Sequence, residues 1–185
     1  MNTNQYVAEI VRELERTVGL LEGEQAEQLT ERIMKAEKVY VAGAGRSGLM
    51  ARAFAMRLMH LGIHAYVVGE TTTPGVTAQD LLIIGSGSGE TKSLLTMADK
   101  AGRIGADVAV VTIFPESAIG QQADIAIKLP GAPKDQALST FTTIQPMGSL
   151  FEQTLLLFFD AIILRLMEKM GNDSATMLGR HANLE

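Results

Sequence analysis

The chain contains no cysteine and no tryptophan in 185 residues, and aromatic residues make up only 5% of it. Without cysteine there is no disulfide framework and no thiol chemistry, which fits a reducing compartment. So few aromatic rings leave little for single-stranded nucleic acid to stack on. Positive charge is also in short supply. Sixteen Lys and Arg face 21 Asp and Glu, for a net charge of −5, which argues against a nucleic-acid or membrane-surface partner. The first residues, Met1-Asn2-Thr3-Asn4-Gln5, lack the basic and apolar regions of a secretory signal, so the expected location is the cytoplasm. The most apolar stretch, Leu155 to Met167, is interrupted by Asp160 and Arg165 and is too short for a membrane span. His60 and His64 lack metal-ligand spacing with a second ligand, so no metal site is expected.

Hydrophobic residues make up 46% of the chain, and their spacing sets the fold class. Val7, Ile10, Val11, Leu14, Val18 and Leu21 recur at helical spacing, with Glu9, Arg12, Glu13 and Arg16 between them. A second helix is expected over about 24–36. Strand and helix patterns then alternate. Strands are expected at 38–42, 64–68, 80–84, 107–113 and 124–129, with helices at about 47–60, 90–103 and 116–122. The strands are continuous apolar runs, as strands buried on both faces are. This rhythm predicts an α/β fold: a five-stranded, mostly parallel, doubly wound sheet with helices on both faces. Residues 130–146 form one long irregular segment. Leu155–Met167 is apolar nearly all round, and is either a central core helix or one that also packs on another subunit.

Two glycine-rich loops sit where an apolar strand ends and a helix begins. The first is Gly43-Ala44-Gly45-Arg46-Ser47-Gly48, after Val39-Tyr40-Val41-Ala42. The second is Gly85-Ser86-Gly87-Ser88-Gly89-Glu90-Thr91, after Leu81-Leu82-Ile83-Ile84. Helix N-termini offer unpaired N–H groups and a positive dipole end, so both are candidate anion sites. The second adds three hydroxyls, Ser86, Ser88 and Thr91. One hydroxyl before a helix is explained by capping. Three among three glycines suit a phosphate ester. The first loop also matches the dinucleotide fingerprint, with Glu70 at about the distance of the ribose-binding acid. A second, hydroxyl-rich phosphate loop and the lack of room for a substrate domain weaken that alternative.

Ser149-x-x-Glu152 has the form of a capping box, which gives Glu152 a structural role. The same carboxylate at a helix start also suits a general base. Both readings stay open from the residues alone. His60 lies near a helix C-terminus, where an imidazole interacts well with the dipole. His64 is expected to begin a strand, and His181 lies in a C-terminal segment, Arg180-His181-Ala182-Asn183-Leu184.

Gly45-Arg46-Ser47-Gly48 and Ser86-Gly87-Ser88-Gly89-Glu90-Thr91, in their strand–helix setting, resemble the sugar isomerase (SIS) domain family. Further segments resemble its 6-phospho-3-hexuloisomerase branch. They are Ala55–Gly62, Gly69-Glu70-Thr71-Thr72-Thr73-Pro74, Pro146-Met147-Gly148 through Glu152, and Arg180–Leu184. The resemblance covers about residues 6–185 and is least clear over 131–145. It implies one SIS domain over 1–185, with N-terminal helices at 4–36 and a tail at 172–185 reaching a neighbouring subunit. The implied activity interconverts D-arabino-hex-3-ulose 6-phosphate and D-fructose 6-phosphate in the ribulose monophosphate route of formaldehyde fixation. The implied context is a homotetramer, linked in function to a hexulose-phosphate synthase, with no cofactor. By matching positions, Ser86, Gly87, Ser88 and Thr91 would hold the phosphate and Arg46 and Ser47 the sugar. Glu152 would be the base, and His181 an assisting acid–base group. An isomerase of arabinose or heptose phosphate, or a non-catalytic sugar-phosphate sensor, are the alternatives.

Overall fold

The computed structural model describes residues 1–134 and 141–184. Two helices come first, α1 (Thr3–Val18) and α2 (Gly23–Lys35). Strand β1 (Val39–Gly43), helix α3 (Gly45–Leu61) and strand β2 (Ala65–Val67) follow. Next are β3 (Leu81–Gly85), α4 (Lys92–Ile104), β4 (Asp107–Thr112), α5 (Ala118–Gln122) and β5 (Ile125–Lys128). The chain closes with α6 (Ser149–Met170) and α7 (Ser174–Leu178). The five expected strands are present to within one residue at their ends. Part of the irregular 130–146 segment, residues 135–140, lies outside the described residues.

The strand order is β2-β1-β3-β4-β5, and all four pairings are parallel. The continuous apolar runs divide by alternation between two cores. Val39, Val41, Leu81, Ile83, Ala109 and Val111 face α2, α3 and α6. Tyr40, Leu82, Ile84, Val108 and Val110 face α4 and α5. Burial on both faces is therefore why these strands read as unbroken hydrophobic stretches. Phe54 of α3 and Phe159 of α6 stack at the centre of the first layer, with ring centroids 4.2 Å apart.

The order reverses between β1 and β3, which makes their carboxyl ends the topological switch point where ligands bind in open α/β sheets. Gly43 is paired in register with Gly85. The two glycine loops thus emerge side by side. Glycine is required in the first by close approach: a Cβ on Gly48 would stand 2.6 Å from the Gly43 carbonyl oxygen.

Helix α1 departs from its expected facing. Val7, Val11 and Val18 are exposed, while Glu13 and Thr17 are buried. The inward face combines half-buried Ile10 and Leu14 with these two polar residues, because Thr17 and Glu13 find hydrogen-bond partners on α6 and on residues 143–145. Asn2 and Gln5 form a reciprocal capping box at the start of this helix. On α6, the inward face supplies Leu155, Phe158, Ile162 and Leu166 to the core, while Leu157 and Leu164 remain exposed. No described helix is long and apolar enough to cross a membrane.

Gly48→Ala is expected to destabilise the fold by about 1–3 kcal/mol, the usual scale for overpacking, because both crowded atoms are backbone. A denaturant titration with an unchanged midpoint would contradict this account of the β1–α3 turn.

Candidate active site

The carboxyl ends of β1 and β3 open into a cavity of about 500 Å³, within the range of small-molecule sites. Ser47, Ser86, Gly87, Ser88, Thr91 and Glu152 all line it. Six residues from three separate parts of the sequence are thereby brought together. Arg46 stands beside them, with Nη1 2.9 Å from Glu152 Oε2.

The hydroxyls of the second loop do not cap α4. Thr91 is the N-cap residue of α4, yet its side chain makes no cap hydrogen bond. Ser86 and Ser88 turn their oxygens into the loop, accepting from the N–H groups of Gly89 and Glu90 at 3.2 Å each. Among the described residues, the Gly87, Ser88 and Thr91 N–H groups have no acceptor. Unpaired N–H groups at a helix start, with three hydroxyls and no lysine or arginine in the loop, are groups able to hold a phosphate ester. Helix α6 lies against it. A Cβ on Gly87 would stand 3.1 Å from the Phe151 ring, so α6 brings Glu152 next to the loop.

Glu152 is not part of a capping box, which corrects that reading of Ser149-x-x-Glu152. The N-cap of α6 is Gly148, in the left-handed conformation, with no side-chain cap bond. Ser149 is already inside the helix, and its hydroxyl donates to the Pro146 carbonyl at 2.7 Å. That leaves the Glu152 carboxylate to face the cavity, with its side chain 8% exposed. Arg46 Nη1 donates to Ser149 Oγ at 2.8 Å. Its contact with Glu152 is thus an ion pair without an aligned hydrogen bond, and Oε2 has no hydrogen-bond partner. Burial pushes the Glu152 pKa up, against the lowering influence of Arg46 and Lys134. A desolvated carboxylate facing a cavity is a strong base, and such perturbed groups mark functional sites.

Lys134 lines the cavity and acts electrostatically on Glu152, and the sequence reading assigned it no role. It lies in the irregular stretch that begins at 130, where no periodicity or motif marks it. Met147, in the Pro146–Glu152 segment that carries part of the resemblance, had no role of its own assigned from sequence. It lines the cavity with φ 59°, the one described non-glycine residue in that region.

His181 lies outside the cavity of its own chain. Its ring stacks on His60, with centroids 5.3 Å apart, in a second depression shared with Arg57 and Asp160. The tail folds against the end of α3, where Arg180 Nη1 donates to the His60 carbonyl at 3.2 Å. His60 is buried rather than a charged partner of the helix dipole. Burial first, then Arg57 and His181, hold its pKa below the ordinary value. Glu70, the candidate ribose ligand, is half-exposed and ion-paired with Arg52 of α3. His64 precedes β2, and its carbonyl accepts from Val39 N–H at 2.9 Å.

The fold and the paired loops define a sugar-phosphate-binding α/β domain, and the comparisons agree: the SIS domain family profile matches residues 32–157, and the chain belongs to that family. It is 58% identical over its full 185 residues to the 3-hexulose-6-phosphate isomerase of Bacillus subtilis, covering all of both chains. It is 40% identical to the 3-hexulose-6-phosphate isomerase of Mycobacterium gastri, over 94% of this chain and 86% of the relative. A crystal structure from Methanococcus jannaschii, for which a molecular function of 3-hexulose-6-phosphate isomerase was inferred, superposes with a TM-score of 0.84 at 35% identity. That match covers 98% of this chain and 99% of the other.

The raised pKa of Glu152 has a stability consequence. A carboxyl whose folded pKa lies above its unfolded value of about 4.5 keeps its proton longer in the native state. Native stability therefore falls as pH rises from that value through the folded pKa, and stays lower above it. Glu152→Gln is expected to melt above the wild type near pH 7.5, with the gain vanishing as pH drops below the ordinary carboxylate value. Calorimetric melts across that range check it, and a pH-independent difference would contradict it.

Proposed function

We propose that this chain interconverts D-arabino-hex-3-ulose 6-phosphate and D-fructose 6-phosphate through a cis-enediol. The observation that carries the proposal is the buried, hydrogen-bond-poor Glu152 carboxylate facing the same cavity as the Ser86–Thr91 loop. Relatives named 3-hexulose-6-phosphate isomerase, 58% and 40% identical over nearly the whole chain, support it. The implied setting is the ribulose monophosphate route, after a hexulose-phosphate synthase, in the cytoplasm.

The chemistry follows from the carbonyl shift. Moving a carbonyl from C3 to C2 removes the C2 proton, passes through an enediol, and returns a proton at C3. One carboxylate over the C2–C3 bond serves both steps. No net oxidation occurs, so the chemistry itself requires no redox cofactor. With O6 esterified, the 3-ulose cannot close a five-membered ring through that oxygen, so it is held open-chain. Ser86, Ser88, Thr91 and the Gly87 N–H anchor the phosphate and set C2 against Glu152, a proximity contribution. Ser47 and Arg46 meet the sugar. The positive charges of Arg46 and Lys134 suit the charge that develops on an enediolate.

Protons must also move between O2 and O3, and an imidazole suits that task near neutral pH. His181 is assigned to it from a neighbouring subunit of a homotetramer. Three features support this. His181 lies outside its own chain's cavity. It sits on a surface with exposed Leu164 and Leu178. Further apolar side chains, Val7 and Val11 of α1, are uncovered elsewhere.

Glu152→Gln should fold normally and lose at least about a hundredfold in kcat, the scale of general-base loss. Mixing it with His181→Ala under subunit exchange should then raise activity well above either parent, because some sites regain both residues. Full activity in Glu152→Gln would overturn the base assignment. A mixture no better than its parents, with exchange verified by mass spectrometry, would overturn the shared site.

A further inference from the structure

The first helix carries a second buried carboxylate, one that takes no part in the proposed chemistry. Glu13 is 1% exposed and does not line the cavity. Its oxygens accept three hydrogen bonds from one short segment: Thr143 Oγ1 at 2.7 Å, Ile144 N–H at 2.8 Å and Gln145 Nε2 at 2.9 Å. Gln145 N–H in turn donates to Thr143 Oγ1 at 3.0 Å. Burial by itself would raise the Glu13 pKa, but the bonds from Thr143, Gln145 and Ile144, with Arg16 nearby, outweigh it and lower the pKa. The group is therefore a fixed anion, satisfied by donors that come from about 130 residues away in sequence.

The segment it holds leads directly into the site. After Gln145 come Pro146, then Met147 at φ 59° and Gly148 at φ 80°, and then the first turn of α6. A non-glycine residue at positive φ costs of order 1–3 kcal/mol and persists only where its surroundings over-determine it. The Pro146 carbonyl accepts from Ser149 Oγ, Ser149 Oγ accepts from Arg46, and Arg46 pairs with Glu152. Covalent and hydrogen-bonded links thus run without a gap from Glu13 to the carboxylate assigned as base. Helix α1 also meets α6 directly, with Thr17 Oγ1 3.4 Å from Thr154 Oγ1.

We infer that Glu13 is a positioning residue for catalysis: its three hydrogen bonds fix residues 143–148 so that Arg46, Ser149 and Glu152 keep their mutual placement. The inference rests on the reading of Glu152 as base. It separates two functions of the cavity. The phosphate loop is carried by β3 and α4, whereas the hydrogen bonds of Glu13 run to residues 143–145, so loosening that segment disturbs the base and leaves phosphate binding in place.

The test compares Glu13→Gln and Thr143→Val with a control, Glu15→Gln, on the exposed side of the same helix. For each, kcat and KM are measured well below the melting temperature, with the thermal shift produced by D-fructose 6-phosphate. Glu13→Gln keeps the shape but turns an amide N–H toward donors. It is expected to lower kcat about 10- to 100-fold, the scale of a displacement of about 1 Å at a reacting group. KM and the ligand-induced shift should stay within about twofold of the wild type. Thr143→Val should lower kcat in the same direction by less, and Glu15→Gln should change nothing. A Glu13→Gln protein that melts lower yet keeps the wild-type kcat would overturn the inference and leave a purely structural bond. Should that variant fail to fold, an unchanged kcat in Thr143→Val would overturn it. A wild type that does not isomerise the sugar phosphate would overturn the functional reading, and this inference with it; an active wild type with unaffected variants overturns this inference alone.

Discussion

Removing the Glu152 carboxylate from water costs several kcal/mol unless charge and hydrogen bonds compensate, and most of the site can be understood as the answer to that cost. The compensation is deliberately incomplete in physical terms. Arg46 lies against the carboxylate but directs its hydrogen bond to Ser149. The start of α6 contributes its dipole. The group stays ionisable, yet its pKa is raised and one oxygen lacks a hydrogen bond. A fully satisfied carboxylate, such as Glu13 with its three donors, is a structural anion. The surroundings of Glu152 stop short of satisfying it, which is the condition that its proposed role as base requires.

The sheet supplies the rest of the geometry. With the order β2-β1-β3-β4-β5, the order in which strands are added reverses between β1 and β3, and the in-register pair Gly43 and Gly85 launches both loops from that point. Each loop needs glycine for close packing, at Gly48 against the β1 end and at Gly87 under Phe151. The residue after Phe151 on α6 is Glu152, so the same contact fixes the carboxylate next to the loop. The spacing between the Ser86–Thr91 loop and Glu152 is therefore set by backbone contacts and core packing rather than by flexible side chains, which suits the precise placement that the proposed chemistry requires.

Much of this was legible in the residues. The apolar runs at 39–42, 81–84 and 107–112 identify strands covered on both sides, and the glycines and hydroxyls of the two loops mark the switch point. Other features depend on contacts that no local pattern encodes. Helical spacing revealed a stripe on α1 but not which part of it is covered, and the hydrogen bonds of Glu13 and Thr17 bring those two polar residues inward. The spacing Ser149-x-x-Glu152 imitates a capping box, but the left-handed Gly148 takes the cap position and leaves the glutamate to the cavity. Lys134 sits in an irregular stretch with no periodicity to read. His181 stacks on His60 in a depression away from the cavity, and no local pattern in the tail foretells that docking.

The central claim is that Glu152 removes a proton from the carbon beside the carbonyl. Proton NMR of D-fructose 6-phosphate in deuterated water tests it directly, because reversal of the proposed reaction abstracts the hydrogen at C3. The account predicts that the wild-type chain replaces the C3 hydrogen with deuterium over many turnovers, that the C1 hydrogens persist, and that Glu152→Gln slows the C3 exchange at least about a hundredfold. Exchange at C1 instead of C3, or equal C3 exchange by the wild type and the variant, would contradict it.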